Sequence, residues 1–412
     1  MALNTIALAK HFQTELSHQL EAGAQTGWME ANAGQVDFVG VKDVKVPQMT
    51  VSGFGNMTRG GKYPLGAVVK TDQTLTLRYD RAVRLQTDIF DIEETKGVAN
   101  GNAVIEVFNR TKAVPEIDAV RHAALFSIAN DGLKTGAYVP HKDTIFSQLQ
   151  SDIEQVQGKI GEDYPLIVHI RSEVAAVLAT STEMSRKFEL EDGEINFQSP
   201  SGKAITAKIK MLDNIALNRI VNSRMYSNIT LNDGSDSEVS DLGFETNDFS
   251  MKLNWIIVEQ TLPIAVKKYD NTKIVPQSIN PESRHDNIIP NLYHDLFVFD
   301  NKLDGLYVSY QAKAAPTLTG ELAEGSESGK TKYTATDVAT GNTLGYDVNA
   351  EELTGEDLPK LNDILEEDDY TAYTSGADIT ATAEQYLTVY ELDSNKRVVR
   401  LFQSILTDKV AD

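Results

Sequence analysis

Periodicity divides the chain into segments of different kinds. Leu3, Ile6, Leu8, Phe12, Leu16 and Leu20 recur at short helical spacing, and the "GAQTGWMEANAG" that follows has no period, so residues 1–34 predict an N-terminal arm. In "VDFVGVKDVKV", Val36, Phe38, Val44 and Val46 share one face, which predicts a strand ended by Pro47. A glycine-punctuated stretch follows, with an alternating return through Leu75, Leu77 and Tyr79. It predicts a long hairpin with a Gly-Gly tip, too poor in large apolar residues to form a core and expected to lie on a neighbour. Ile117, Val120, Ala124 and Ile128 recur at helical spacing after Pro115, with Gly132 as the stop. "NAVIEVFNRTKAV" ahead of them is also helix-like, so Pro115 either kinks one long helix or separates two.

From Pro140 onward helical and strand patterns alternate: "TIFSQLQSDIEQVQ" is helical, "PLIVHI" a strand and "SEVAAVLATS" helical, as in a mixed α/β domain ending near Gln311. "AKAAPTLTGELAEGSESG" reads as a linker. Beyond it, "KYTATDV", "LGYDVNA", "DYTAYTS", "QYLTVYEL" and "RVVRLFQSI" predict the short strands of a small β-sandwich.

At 412 residues the chain exceeds the length of about 250–300 at which single cores stop growing, so at least two domains are expected. Its N-terminus carries no signal-peptide pattern and no apolar run approaches a membrane span. The absence of cysteine excludes disulfides and thiolate metal sites. A net charge of −22 argues against a general nucleic-acid binder. Lys313–Asp412 holds 20 acidic and 8 basic residues, whereas Gly40–Arg84 holds 8 basic and 3 acidic ones. That asymmetry suits packing against copies of the same chain, and equally a solvated basic face.

Candidate chemistry is sparse. "EGSESGKT" has three residues between Gly325 and Gly329 where a phosphate-binding loop needs four, and it lacks the strand–helix context. "LNDGSDSEVSD" lacks the ligand order of a calcium loop and reads as a mobile loop. The seven histidines form no metal-ligand pair at helical spacing, and no GxSxG elbow occurs. "PNLYHDLFVFDNKLDGLYVSYQ" sets His294, Asp295 and Asp300 among large apolar side chains. A buried hairpin turning at "DNKLDG" accounts for all of it except His294, which is expected as a hydrogen-bonded packing residue. No enzyme constellation, cofactor site or metal site is expected.

Three segments in order, "FNRTKAVPEIDAVRHAALFSIAND", "LNWIIVEQTLPIAVKKYDNTKIVP" and "YHDLFVFDNKLDGLYVSY", resemble the major capsid proteins of tailed bacteriophages with the Hong Kong 97-like fold, over roughly Met1–Gln311. The resemblance implies an α+β chain: an arm at 1–34, a peripheral domain at 35–135 with an extended loop at about 50–82 and a spine helix at about 102–131, an axial domain at 136–291 and a closing hairpin at 292–312. Residues 313–412, an all-β sandwich, resemble an acidic immunoglobulin-like domain appended to such proteins.

The function so implied is self-assembly through pentamers and hexamers into an icosahedral shell enclosing phage DNA, built in the host cytoplasm and ending in the virion. Arg59, Lys62, Arg78 and Arg81 of the extended loop would meet acidic partners on the next subunit. Because the arm begins at Met1, a separate scaffolding protein and a portal are implied partners; double-stranded DNA would be contacted non-specifically, and the outer domain is a candidate binder of host-surface glycan. Lys62 is a conceivable cross-link donor, with non-covalent clamping the expectation. The alternative is a secreted or tail-associated adhesin whose C-terminal sandwich binds a host surface.

Overall fold

The computed structural model describes residues 23–35, 37–38, 43–57, 63, 65–88, 101–181, 191–198, 204–212, 215–234, 242–275, 285–355 and 357–411. The described chain is α+β and divides into two compact units. The first takes the chain up to Lys134, His141–Met225 and Trp255–Val308; the second takes Thr135–Pro140, Tyr226–Asn254 and Ser309–Asp412. The sequence assigns 135–140 and 226–254 to the preceding domains, and the structure moves them into the unit that carries the acidic module.

The helices are α1 (Gly101–Phe108), α2 (Val114–Asp131), α3 (Ile145–Ile160) and α4 (Ser172–Ala179). Strands of the N-terminal half are β1 (Asp43–Val51), β2 (Val68–Thr76), β3 (Tyr79–Ala82), β4 (Leu85–Asp88), β5 (Leu166–Arg171), β6 (Glu191–Gln198), β7 (Ala204–Leu212) and β8 (Ile215–Ile220). Then come β9 (Leu253–Glu259), β10 (Pro263–Val275), β11 (His285–Val298) and β12 (Leu306–Tyr310).

At Pro115 the chain stays helical from α1 into α2 rather than separating two helices. Pro115 has no N–H to give the Thr111 carbonyl four residues back, and its ring would collide with that carbonyl in a regular helix. The chain widens into a π-turn over Asn109–Ala113 instead, where the Val114 N–H donates to Asn109 O. At the other end the Lys134 N–H returns to Ala129 O at 2.8 Å, and Leu133, one past the expected Gly132, takes the left-handed φ of 55°.

β9, β5, β8, β7 and β6 are neighbours in that order in one sheet, with β12 on the other side of β9. β5 lies parallel to β8 (Ile167 opposite Ala216) and antiparallel to β9 (Ile170 opposite Trp255). β5 and β9 are buried at every residue, as strands covered on both faces must be. α3 buries Leu149, Ile153 and Val156, and the Trp255 indole donates to Asp152 Oδ2 at 2.9 Å.

A second sheet corrects the closing hairpin. β11 pairs along its length with β10, and β3 and β4 both pair with β11, whereas β12 belongs to the other sheet. "DNKLDG" forms a 3-10 turn at Asp300–Gly305 rather than a tight hairpin turn, so it passes the chain between sheets.

The second half of the arm is also corrected: Thr26, Trp28, Met29 and Glu30 are buried in the first unit, around a 3-10 segment at Gly27–Gln35. Residues 1–22 lie outside the described residues.

The second unit contains β13 (Gly320–Glu324), β14 (Lys330–Ala335), β15 (Thr343–Asn349), β16 (Thr371–Tyr373), β17 (Asp378–Thr380), β18 (Tyr386–Leu392) and β19 (Val398–Ile405). Two antiparallel sheets, β13–β14–β17 and β16–β15–β18–β19, share a core in which Tyr333 and Ile379 of one meet Leu344, Leu387 and Val389 of the other. Part of the expected linker is therefore the edge strand β13. Residues 226–254 join this unit through Lys313 Nζ on Asp248 O at 2.6 Å and the Arg400 guanidinium 5.4 Å from the Phe249 ring.

Candidate assembly surface

β1 and β2 pair in unbroken antiparallel register from Asp43 opposite Thr76 to Val51 opposite Val68. Pro47 lies inside β1, opposite Asp72, instead of ending it. The short strand Asp37–Phe38 covers only Val44 and Lys45 on the outer edge, so at Pro47 no described strand asks for the missing N–H. At the base, Val44 and Leu77 enter a core with Ile264, Val266, Tyr293, Phe297 and Phe299.

The far end has no such cover. Met49, Val51, Phe54, Met57, Tyr63, Leu65, Val68 and Val69 are exposed, half of the sixteen exposed large hydrophobic side chains among the described residues. Phe54 and Leu65 are as exposed as in an open chain, at 111% and 102%. Ser52 N–H bonds to Ala67 O at 2.9 Å and Ser52 Oγ accepts from Ala67 N at 2.7 Å, so the ladder is closed just past the strands. The hairpin is anchored in the core at its root and apolar in water at its end, the inverse of an ordinary surface projection.

Of the four cations expected to reach a neighbour, Arg59 and Lys62 lie outside the described residues. Arg78 makes a two-pronged contact with Asp295, Nε–Oδ2 at 2.9 Å and Nη2–Oδ1 at 3.1 Å, and its backbone N–H donates to Oδ2 at 3.0 Å. Arg81 reaches Glu116 at 2.6 Å. Both thus meet acidic partners within their own chain.

Asp295 is a receiver of hydrogen bonds at the root of the hairpin. Its neighbour His294 is 1% exposed, stacks on Tyr79 with centroids 5.7 Å apart, and neither ring nitrogen has a hydrogen-bond partner among the described residues. The expected hydrogen bond is absent there, and burial lowers its pKa to about 3, with Arg121, Lys267 and Arg81 adding to the shift. A ring so held is neutral. Asp304, the strongest turn residue of the same stretch, accepts from Lys134 Nζ at 2.7 Å.

A buried polar centre in the first unit was not legible from periodicity. Asp118 accepts from the Gln25 and Thr26 backbone N–H groups at 3.1 and 3.0 Å and from Arg224 at 2.8 Å. Glu30 lies between Arg121 (2.5 Å) and Lys267 (2.8 Å); burial alone would raise its pKa, and the two cations overcome this and lower it. Trp28 Nε1–H donates to His169 Nε2 at 3.1 Å, which fixes the proton of neutral His169 on Nδ1. That nitrogen lies 2.9 Å from His122 Nε2, and His122 Nδ1 lies 2.9 Å from Arg224 O. One tautomer of each ring satisfies the chain, and burial lowers both pKa values. The sequence trace is Asp118, Arg121 and His122 at i, i+3 and i+4, one polar face on a helix otherwise apolar.

No three His, Cys, Asp or Glu side chains converge as a metal site among the described residues. No described helix is long and apolar enough to cross a membrane.

The sequence pattern of the S-layer protein SbsC C-terminal domain family matches residues 323–409, within the module that the sequence likens to a capsid-appended domain. The crystal structure of SbsC domains 7, 8 and 9 is similar at 25% identity over 29% of this chain, with a TM-score of 0.22, and this chain spans 37% of its length. The capsid of the cyanophage P-SCSP1u is similar at 12% identity over 67% of this chain and 85% of its own, TM-score 0.42. The mature capsid of bacteriophage PhiM1 is similar at 12% identity over 66% and 82%, TM-score 0.39. No curated protein matches the chain.

Proposed function

We propose that this chain is a non-enzymatic, self-assembling shell protein, a phage major capsid protein that forms pentamers and hexamers and closes an icosahedral shell around double-stranded DNA. The observation that carries the reading is the hairpin of β1 and β2, rooted in the core and apolar in water at its end. Burying a large apolar side chain stabilises by roughly 1.5–3 kcal/mol. Covering all eight exposed ones fully would give at most about 12–24 kcal/mol, against the roughly 4–15 kcal/mol that association costs. The occupant that fits is a second copy: Gly40–Arg84 is net basic within a chain of net charge −22, so another copy presents surface of the opposite sign. A projection on one face seated on another face of the next copy makes head-to-tail contacts, which close into rings when the rotation from copy to copy closes.

The test is electron microscopy of the purified full chain, alone and with a scaffolding partner. Rings or closed shells support the reading, and a monomer under all conditions defeats it. A second reading, a component of a surface layer, is favoured by the match at 323–409. Flat sheets in place of shells would support that reading.

A further inference from the structure

We propose that the second unit forms its own covalent cross-link, an ester between the Thr388 hydroxyl and the Gln403 side chain made with loss of ammonia, and this stands apart from shell assembly. Asp347, Thr388 and Gln403 occupy one row across three neighbouring strands: Asp347 of β15 lies directly opposite Thr388 of β18, and Thr388 directly opposite Gln403 of β19. Residues so paired in antiparallel strands share a face, with Cβ atoms about 4.5–5.5 Å apart. A carboxylate, a hydroxyl and a carboxamide therefore stand side by side.

The two groups to be joined already touch. Thr388 is fully buried, and its Oγ1 donates to Gln403 Oε1 at 3.2 Å. Gln403 Nε2 donates to Leu353 O at 3.2 Å, so the carboxamide is pinned between the hydroxyl and a backbone carbonyl. Asp347 is oriented in turn: Oδ1 accepts from the Val348 N–H at 2.8 Å and Oδ2 from Asn349 Nδ2 at 2.7 Å. A hydroxyl, a carboxylate beside it and a third group that orients the carboxylate are the parts that nucleophilic acyl transfer uses. The Tyr390 hydroxyl, two residues along the same face, contacts Thr388; burial, with the Asp347 charge adding to it, pushes its pKa up to about 12, so it stays a protonated donor there. Tyr390 packs with Leu365, Leu392 and Val398, an apolar cover against the water that would hydrolyse an ester.

The step balances within the chain. Thr388 Oγ1 adds to Gln403 Cδ while Asp347 takes the hydroxyl proton. The Cδ–Nε2 bond then breaks, the nitrogen takes up that proton and ammonia leaves, with no change of oxidation state and no co-reactant. The product is an ester that joins β18 to β19. In a chain without cysteine, such a link constrains the module as a disulfide would.

The test is mass spectrometry of the purified full chain, denatured after prolonged incubation in its folded state. A loss of about 17 Da, one ammonia, from the mass of the sequence is expected. Trypsin should then leave residues 361–396 joined to residues 401–409, a pair that alkaline hydroxylamine separates because the link is an ester. Thr388→Val and Gln403→Met should each keep the full mass of their sequence, and Asp347→Asn should form the link at least about tenfold more slowly. An unchanged mass in the wild-type chain overturns the proposal whether or not the variants fold. The same loss persisting in Thr388→Val overturns it too, because the ammonia would then have left from another site.

Discussion

His294 sets the first expectation, because its ring is buried, neutral and without hydrogen-bond partners among the described residues. Its pKa falls from an ordinary 6.5 to about 3 in the folded chain, so the unfolded chain binds more protons in acid. The stability involved is complete above pH 6.5 and is lost as pH falls toward 3, about 3 kcal/mol of it by pH 4. His122 and His169 are lowered by burial and act in the same direction, and Glu30, a lowered carboxylate, extends the loss below its ordinary 4.5. His294→Phe, which keeps the stack on Tyr79 and removes the titration, should narrow the gap between melting temperatures at pH 7.5 and pH 5. An unchanged gap would mean that the ring is not held neutral. None of this was legible in "YHDLFVF", where a lone histidine between apolar residues reads the same whether its nitrogens are bonded or bare. The residue across the strand, Tyr79, is more than two hundred positions away.

At the scale of elements, local period gave what local chemistry decides. α3, β5, α4 and five of the sandwich strands lie where alternation and helical spacing put them, because each carries its own apolar face and stop residues. Errors fell where a neighbour decides. Pro47 reads as a strand end and is an interior residue only because the adjoining edge is uncovered there. "DNKLDG" reads as a hairpin turn, yet its two flanks belong to different sheets. "GWMEANAG" has no period because its side chains enter a polar and aromatic centre rather than an apolar stripe. The long hairpin was legible as an element, and so was its lack of a core. A direct expectation follows from its exposure. Phe54→Ser with Leu65→Ser should leave the free energy of unfolding within about 0.5 kcal/mol of wild type, since neither side chain is covered in the isolated chain. Particle yield by sedimentation should drop by at least about tenfold. Normal particles from the double variant would remove the hairpin from the assembly surface.

For the whole molecule, the unexpected boundary matters most. Residues 226–254 belong with the acidic module, so removal of Ala314–Asp412 does not leave an intact remainder. It strips away Arg400, which sits on Phe249, and the sandwich that completes the unit. Limited proteolysis of the truncated chain should therefore show new cleavage within 226–254, while particles still form from the first unit. Loss of all particles would mean that the second unit is part of the shell's construction rather than an addition to it.

The hairpin's one-sidedness has a genetic consequence. On the proposed head-to-tail contact, a copy that lacks its apolar end would still offer the face on which the next copy's hairpin lies. In a cell making both forms, each tipless copy would accept one neighbour and hold none, ending the ring it enters. Even a minority of Phe54→Ser, Leu65→Ser copies should then depress particle yield out of proportion to its share, and the defect would be dominant over wild type.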